Sequence, residues 1–225
     1  MSATRVPTAA TDPVAAFFDR RPRAYDRQLL LERRALRTAA AFAHPVGGLR
    51  VIDLAAGTGA LAAALLAHGP PPATLTAVDA APRMLERARV RLGPGATILV
   101  ADARAVPLPD GSADVVTVGY LLHLLAPGAR RAVLAEARRL LTPGGLLVAV
   151  VHGSPRGTAG RAYHSAWRLV GRALPGAVIG EGPMRDLAPE IGATGLEVEA
   201  SRRVAGVYWS QVVRARLPDS GRAHR

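Results

Sequence analysis

The sequence predicts a single α/β domain around a seven-stranded, mostly parallel sheet, with helices on both faces and an antiparallel hairpin at its C-terminal end. Short, near-continuously apolar segments alternate with helical patterns from residue 49 to residue 152, as strands covered on both faces require. The last two strand-like segments are joined by a very short link, which favours an antiparallel pair. A chain of 225 residues is long enough to bury a sizeable core.

The individual elements follow from hydrophobic periodicity and from the positions of glycine and proline. A small, polar tail (1–11) is expected to be disordered, and the helical pattern that follows, from Asp12 to about Phe42, breaks near Pro22. The predicted strands are 49–54, 74–79, 96–102, 113–120, 146–152, 196–204 and 206–215. The predicted helices between them are 60–68, 80–92, 129–141, 162–174 and 184–193, and TPGG (142–145) is a predicted turn.

Composition limits the classes of function. The chain has no Cys, which excludes disulfides, thiolate metal sites and cysteine nucleophiles and favours an intracellular protein. No apolar run approaches the ~20 residues that span a bilayer, and the first twenty residues lack a signal-peptide pattern, so a cytoplasmic location is expected. Asp and His are scattered without the spacing of metal ligands, so no metal site is predicted.

The net charge of +12 raises the question of a nucleic-acid partner. All 29 basic residues are Arg, however, and together with abundant Ala, Gly and Pro they indicate the amino-acid bias of a GC-rich genome. The arginines mix with acidic neighbours along predicted helices, as on a solvated face, and form no single block. A basic rim that attracts an acidic substrate or membrane phosphates stays open as an alternative.

A glycine turn follows the first predicted strand, in VIDLAAGTGALAAALLAHG (51–69). Gly57 and Gly59 allow a ligand to approach the backbone, and the helix after them offers unpaired N–H groups. Asp79 ends the next strand, where a carboxylate can accept hydrogen bonds from both hydroxyls of a ribose. Asp53 would repel a pyrophosphate but attract an amine or a sulfonium, by ~1–4 kcal/mol at ~4 Å. The pattern therefore favours a cationic, phosphate-free nucleoside such as S-adenosylmethionine.

Four motifs in order extend this pattern: VIDLAAGTG, AVDAAPRML, VADARAVPLPDGSADVVTV and EARRLLTPGGLLVAV. Over about residues 49–151 they resemble class I S-adenosylmethionine-dependent methyltransferases, and they are similar to the group that includes ubiquinone and menaquinone biosynthesis C-methyltransferases. FFDRRPRAYD (17–26) is a looser match. The resemblance implies a Rossmann-like fold that transfers a methyl group from S-adenosylmethionine to a small organic acceptor and leaves S-adenosylhomocysteine. The acceptor is expected to be hydrophobic, such as a secondary metabolite or a quinone-like ring.

The resemblance also implies the organisation of the chain and the cofactor site. The expected parts are a disordered tail and helical lid (1–42), a methyltransferase domain (43–217) with a cap segment at about 153–183, and a disordered tail (218–225). The implied cofactor contacts are Asp53, Ala55, Gly57 and Gly59 for the methionine part, Asp79, Ala80, Met84, Asp102 and Ala103 for the ribose and adenine, and Gly119 and Tyr120 beside the sulfonium and substrate entrance. The family pattern usually has Gly at position 55, where this chain has Ala, and the substitution narrows the turn slightly.

Methyl transfer from a sulfonium is an in-line displacement that depends mainly on positioning and on exclusion of water, and a base helps with a phenol or an activated carbon. His123 and His152 follow the fourth and fifth strands at the sheet edge where ligands bind, so each is a candidate base, with ordinary packing as the alternative. Tyr25 matches an aromatic residue that closes over the cofactor in related enzymes. The cap usually covers the acceptor in this family, and its candidate substrate-binding residues are Tyr163, His164 and Trp167, the last two on one helical face.

Three alternative functions stay open, and either a monomer or a homodimer is expected. A nucleic-acid methyltransferase would fit the positive charge, but GYLLHLL stands where enzymes that methylate base amines have an Asn/Asp-Pro-Pro-aromatic motif, so nucleic acid is disfavoured as a partner. A phospholipid N-methyltransferase would fit a basic protein that makes peripheral contact with membranes. A non-methylating protein, such as a cyclase, would use S-adenosylmethionine without transferring its methyl group.

Overall fold

The computed structural model describes residues 13–173, 182–206 and 208–219. Seven strands form the sheet: β1 (Arg50–Leu54), β2 (Thr74–Asp79), β3 (Ala96–Val100), β4 (Ala113–Gly119), β5 (Leu141–His152), β6 (Glu197–Val204) and β7 (Ser210–Arg216). Their order across the sheet is β3-β2-β1-β4-β5-β7-β6. Neighbours from β3 to β5 are parallel, and β7 is antiparallel to both β5 and β6. The predicted fold class is therefore confirmed.

The helices begin where the sequence favours helix initiation. They are α1 (Pro13–Asp19), α2 (Pro22–Ala43), α3 (Ala60–Leu66), α4 (Pro82–Leu92), α5 (Pro127–Leu140), α6 (Gly157–Ala173) and α7 (Ala188–Gly192), with a 3₁₀ turn at Leu122–Leu124. Proline stands in the first turn of α2, α4 and α5, where its missing N–H group has no helical partner to lose. The predicted break near Pro22 separates α1 from α2.

The strands bury both of their faces. Val115 and Val116 are adjacent on β4, yet Val115 packs in the cluster under α2 and α3 and Val116 packs in the cluster on the opposite side, under α5. Both side chains are almost fully buried. A continuous apolar strand is what such a two-sided core requires.

The site is positioned by the change of strand order between β1 and β4. β1 pairs with β2 on one side and with β4 on the other, and Asp53 lies beside Thr117 in the register. In open α/β sheets, ligands bind at the carboxyl ends of the strands next to such a switch point. The ends of β1, β2 and β4 are therefore the place to search for a site.

The turn predicted at 142–145 is wrong, because these residues lie within β5. The backbone N–H of Gly144 donates to the carbonyl of Leu217, and the N–H of Leu217 donates to Gly145, each at 2.9 Å. The partner of β4 shifts from Leu141 to Leu146 across this stretch, so the strand contains an irregularity. Pairing with the chain after β7 extends the strand through glycines that predict a turn.

The helix predicted at 184–193 is largely wrong, since α7 covers only Ala188–Gly192. Upstream backbone groups bond elsewhere: the N–H of Met184 donates to the His152 carbonyl at 2.8 Å, and the N–H of Leu187 donates to Gln211 Oε1 at 2.9 Å. The link between β6 and β7 spans 205–209 and is longer than predicted. The predictions for 1–12, 174–181 and 220–225 lie outside the described residues.

None of the helices in the described part of the chain combines the length and the apolar character that a membrane crossing needs.

Candidate active site

A pocket of about 730 Å³, open to solvent, lies at the carboxyl ends of β1, β2 and β4. Nine of the residues predicted to contact the cofactor line it: Ala55, Gly57, Asp79, Ala80, Met84, Asp102, Ala103, Gly119 and Tyr120. Residues from motifs that are separate in the sequence therefore line one cavity.

Asp79 ties the glycine turn to the start of α4. Its carboxylate accepts hydrogen bonds from the backbone N–H groups of Gly57 and Ala81, each at 2.8 Å. Burial raises the pKa of Asp79 to about 6, against the opposing effect of these hydrogen bonds. Each carboxylate oxygen has a second lone pair, so the group can still accept hydrogen bonds from a ligand.

Two non-glycine residues at the pocket have left-handed backbone conformations. Ala55 has φ 54° at the end of β1, and Tyr120 has φ 53° at the end of β4. Such a conformation costs an L-residue roughly 1–2 kcal/mol, and it is concentrated at functional sites. The two strained residues stand on the pair of strands that flank the switch point.

Asp53 and Gly59 are the two predicted cofactor residues that do not line the pocket. Asp53 is fully buried, and its Oδ1 accepts a hydrogen bond from the Thr117 hydroxyl at 2.6 Å. Its Oδ2 has no hydrogen-bond partner among the described residues, and burial raises the pKa of Asp53 to about 7. Gly59, with φ 78°, packs closely against Ala88 and Leu92 of α4. Both residues therefore pack against the side of the glycine turn that faces away from the pocket.

The N-terminal helices cover the pocket. Val14, Ala15, Phe18 and Tyr25 line it from α1 and α2, and the rings of Phe18 and Tyr25 meet edge to face at 5.5 Å. Burial raises the pKa of Tyr25 well above its ordinary value, so its phenol is protonated at neutral pH. Tyr25 is therefore in the predicted place, but it is poorly suited to act as a base.

A charged network, which we call the lid network, fastens α2 to the turn and to α4. Asp26 accepts hydrogen bonds from the Thr58 hydroxyl at 2.7 Å, from Arg87 Nε at 2.6 Å and from Arg91 at 2.8 Å. Arg91 also donates to the Thr58 carbonyl. The lid network therefore joins the covering helices to the pocket floor.

His123 and His152 lie together, next to Tyr120. Their ring centroids are 5.2 Å apart, and the Tyr120 ring lies 6.2 Å from His123 and 6.4 Å from His152. Burial lowers the pKa of His123 to about 3 and that of His152 to about 4, so both rings are neutral at pH 7. His123 Nδ1 and His152 Nε2 have no hydrogen-bond partner within the described residues.

An aromatic group surrounds His152. Its ring lies 4.8 Å from Tyr208 and 5.6 Å from Trp167, and Trp167 lies 6.2 Å from Tyr163. The Tyr120 hydroxyl shares a hydrogen bond with Ser210 at 2.8 Å. The predicted base, two of the three predicted cap residues and the start of β7 therefore meet beside the pocket.

His164 does not join this group. Its Nε2 lies 3.0 Å from the Ser154 hydroxyl, and the residue lines a different pocket. Three residues of an α-helix turn through about 300°, so the side chains of His164 and Trp167 point about 60° apart. This separation allows them to contact different neighbours. The two residues share a helical face, as predicted, but they contact different neighbours, and their role in substrate binding stays a prediction.

The sequence reasoning missed several lining residues. Val14 and Phe18 lie within the helical pattern predicted from Asp12 to about Phe42, and their place over the pocket depends on how α1 packs against α4. Glu32 was also missed: it is 3% exposed on an otherwise apolar face of α2, and burial raises its pKa to about 7. An acidic residue between Leu29 and Leu36 was the available signal.

Within the described ranges, no group of three or more His, Cys, Asp or Glu side chains is placed to hold a metal ion.

Known proteins are similar to this chain in sequence and in fold. A family model described as "Methyltransferase domain" matches residues 51–145. Demethylmenaquinone methyltransferase from Clavibacter sepedonicus is 38% identical over 151 residues, which cover 63% of this chain and 59% of the relative. The chain thus spans less than two thirds of the length of that relative.

Two solved structures have the same fold. One is the N-methyltransferase NodS from Bradyrhizobium japonicum WM9 in complex with S-adenosyl-L-homocysteine, with a TM-score of 0.70, 18% identity and coverage of 92% of this chain and 100% of that chain. The other is the [4+2]-cyclase SpnF, with a TM-score of 0.64, 16% identity and coverage of 83% of this chain and 81% of that chain.

The sheet order and the pocket at its switch point define an α/β domain with a cavity at the carboxyl edge of the sheet, where open α/β sheets bind ligands. Residues 51–145 match the methyltransferase-domain model, and this part of the chain is similar to quinone-biosynthesis methyltransferases that use S-adenosylmethionine.

Proposed function

We propose that this protein transfers a methyl group from S-adenosylmethionine to a small, hydrophobic organic acceptor and releases S-adenosylhomocysteine. The observation that carries the proposal is a pocket that combines the glycine turn with two carboxylates, Asp79 and Asp102. The one basic residue among its lining residues, Arg104, is paired with Asp102 at 2.6 Å. Such a lining suits a phosphate-free nucleoside with a positive charge.

The lining residues fit the parts of this cofactor. Asp79 would accept hydrogen bonds from the ribose hydroxyls, while Met84 and Ala103 would flank the adenine. The backbone at Gly57 has φ 55°, a conformation that favours glycine, and without a Cβ it can approach a ligand closely. Asp53 acts from behind the turn, where a negative carboxylate would favour the cationic methionine end without touching it.

The cofactor supplies an activated methyl group, and the chain supplies position and shielding. Phe18 and Tyr25 would cover the reacting atoms and exclude water, which strengthens electrostatic interactions inside the site. Tyr120 stands between the pocket and the two histidines, so an acceptor beside it would lie within reach of both. A neutral His152 can accept a proton from a phenol-like acceptor, although its lowered pKa makes it a weak base.

The aromatic group around His152 supports a planar, apolar acceptor. Trp167 and Tyr208 offer ring faces and edges within 5.6 Å of His152, and aromatic rings favour offset or edge-on contact with other rings. A relative that is a demethylmenaquinone methyltransferase agrees with a quinone-like acceptor. We therefore favour an aromatic ring over a macromolecule.

A non-methylating role is the second candidate, because a solved [4+2]-cyclase has the same fold. The experiment that separates the two incubates the purified protein with S-adenosylmethionine and a short-chain demethylmenaquinol, and measures S-adenosylhomocysteine by mass spectrometry. Formation of S-adenosylhomocysteine that depends on the acceptor supports methyl transfer. Tight binding of the cofactor without turnover, on this acceptor and on a panel of phenols, would favour the non-methylating role.

The cofactor site itself is tested with Asp79→Asn. The amide keeps one acceptor oxygen but removes the charge and one acceptor, so affinity for S-adenosylmethionine should fall about tenfold or more in calorimetry. Glu197→Gln, at an exposed position on β6, is the matched control and should bind like the wild type. Unchanged affinity in Asp79→Asn would contradict the assignment of the ribose site.

A further inference from the structure

A second pocket of about 620 Å³ lies beyond the end of β5, against the start of α6. We call it the arginine pocket, because four arginine residues line it: Arg156, Arg161, Arg185 and Arg203. Ser154 and His164 complete its wall on the side of β5 and α6. None of its lining residues belongs to the pocket proposed for the cofactor.

The arginine pocket has a large excess of positive charge. Asp186 is the one acidic residue among its lining residues, and it stands among four arginine residues. Its carboxylate is already engaged, since Oδ1 accepts hydrogen bonds from Gln211 Nε2 at 2.6 Å and from the Ala188 N–H at 3.1 Å. Its Oδ2 lies 4.0 Å from Arg203 Nη2, and this single negative charge balances one of the four positive charges, so the pocket keeps an excess of three.

Arg203 provides a fixed floor. It donates to the carbonyls of Ser154 and Arg185, each at 2.7 Å, and its side chain is only 14% exposed. Its Nε is buried without a hydrogen-bond partner among the described residues. These bonds hold the guanidinium plane in one orientation, which reduces the entropy that a ligand would otherwise lose on binding.

Arg156 and Arg161 provide donors at the mouth of the pocket. Both residues are exposed, and Arg156 lies close enough to Asp186 to help lower the pKa of that carboxyl. The first turn of α6 contains no acidic residue that would neutralise its positive end. Convergent guanidinium groups are the arrangement that proteins use for carboxylate and phosphate recognition.

We propose that the arginine pocket binds an oxyanion group, either a phosphate or a carboxylate. The proposal goes beyond methyl transfer, because occupation of this pocket requires neither the cofactor nor turnover. His164 supports it as a hydrogen-bonding neighbour, because its Nε2 lies 3.0 Å from the Ser154 hydroxyl. The part of α6 that carries Arg161 and His164 would thus serve an anion.

Inorganic phosphate is the probe for the first experiment, and calorimetry at low salt measures its affinity for the full chain. The wild type should bind phosphate at one site, and Arg156→Ala with Arg161→Ala should weaken binding by roughly tenfold for each guanidinium removed. Because the chain carries a net charge of +12, non-specific attraction must be separated from the site. The charge-matched control is Arg131→Ala with Arg202→Ala, two exposed residues outside the pocket, and it should retain the wild-type affinity.

The same experiment distinguishes failure to fold from failure to bind. Both double variants change exposed residues, so their melting temperatures without phosphate should match the wild type. Phosphate binding that is absent from the wild type, or equal in the two double variants, would overturn the proposal. Calorimetry with S-adenosylmethionine is independent of this result, so the proposed cofactor site can fail or hold by itself.

A competition measurement identifies the source of the anion. If phosphate raises the apparent KM for an acceptor with an anionic substituent and leaves a neutral acceptor unaffected, the pocket holds part of the acceptor. If phosphate binds without changing either KM, the pocket takes a free oxyanion. Both results support the site, and each assigns it a different occupant.

Discussion

Replacement of Asp26 by Asn tests whether the lid network holds the N-terminal helices over the pocket. Arg87 and Arg91, both paired with Asp26, are 40% and 30% exposed at their side chains, so solvent screening reduces each interaction to about 1 kcal/mol. Loss of both charge pairs should make local opening about 2 kcal/mol easier, which is about a 30-fold change in the opening equilibrium. The Thr58 hydrogen bond can persist, because Asn keeps one acceptor oxygen.

Hydrogen exchange followed by mass spectrometry measures this opening directly. Amides of α1 and the first two turns of α2 should exchange about 30-fold faster in Asp26→Asn, while amides of β4 and β5 stay protected. Asp114→Asn is the control: it breaks a comparable pair with Arg50, at the amino end of β1 and far from the lid network. Equal exchange of α1 and α2 in the wild type and Asp26→Asn would refute the reasoning, as would equal acceleration in Asp114→Asn.

Acid should weaken the lid network in the pH range where Asp26 becomes protonated. Burial opposes ionisation of Asp26, but hydrogen bonds from Arg91, Thr58 and Arg87 outweigh it and hold the pKa below the ordinary value. A depressed carboxyl pKa means that the stabilisation is complete above the pKa of the unfolded chain and is lost as the pH falls through the pKa of the folded state. Asp26 therefore stays ionised near pH 7 and has no effect on the pH dependence of opening there. At strongly acidic pH it becomes protonated, and hydrogen exchange in α1 should show more frequent opening.

Three further predictions concern the pocket itself. Tyr25→Phe should keep turnover within a few-fold because the phenol is protonated, whereas Tyr25→Ala should weaken cofactor binding about tenfold through lost cover; a collapse of turnover in Tyr25→Phe would count against this. Ala55→Gly should raise the free energy of unfolding by about 0.5 kcal/mol in urea, because it relieves a positive φ, while Ala56→Gly should lower it. Asp53 has a raised pKa, so the folded state binds its proton more tightly. The wild type should therefore gain stability relative to Asp53→Asn as the pH falls from about 7 toward 4, by at most about 1.4 kcal/mol per pH unit, and a flat difference would contradict it.

The cofactor half of the site was predictable because its residues lie close together in sequence. Gly57 follows β1, and Asp79 is the last residue of the adjacent parallel strand β2. Parallel strands have their carboxyl ends at one edge of the sheet, so the predicted strands already bring the two residues together. Asp53 shows the limit of this reasoning. Its charge suggests a cationic ligand, but strand alternation turns its side chain toward Thr117 and away from the pocket.

The acceptor half could not be predicted in the same way, because long-range packing assembles it. Tyr208 reaches His152 only because β7 pairs antiparallel with β5, which joins His152 to Ser210 in the register. His164 and Trp167 are three residues apart on α6, yet the packing of the helix gives them different neighbours. Residues three apart in sequence share a helical face, but their side chains still point about 60° apart, and the sequence spacing does not show which neighbours each one contacts.

Tyr120 is the residue that joins the two halves. Its backbone N–H donates to the Val150 carbonyl at 2.7 Å, its hydroxyl bonds to Ser210, and its backbone is held at φ 53°. These constraints come from β5, β7 and β4, and together they fix the ring between the cofactor pocket and the histidine pair. A strained conformation persists only where the surroundings impose it, and its position here suits a residue that sets the distance between donor and acceptor. Preorganisation of this kind is what an in-line methyl transfer needs most, because its rate depends on alignment more than on acid–base chemistry.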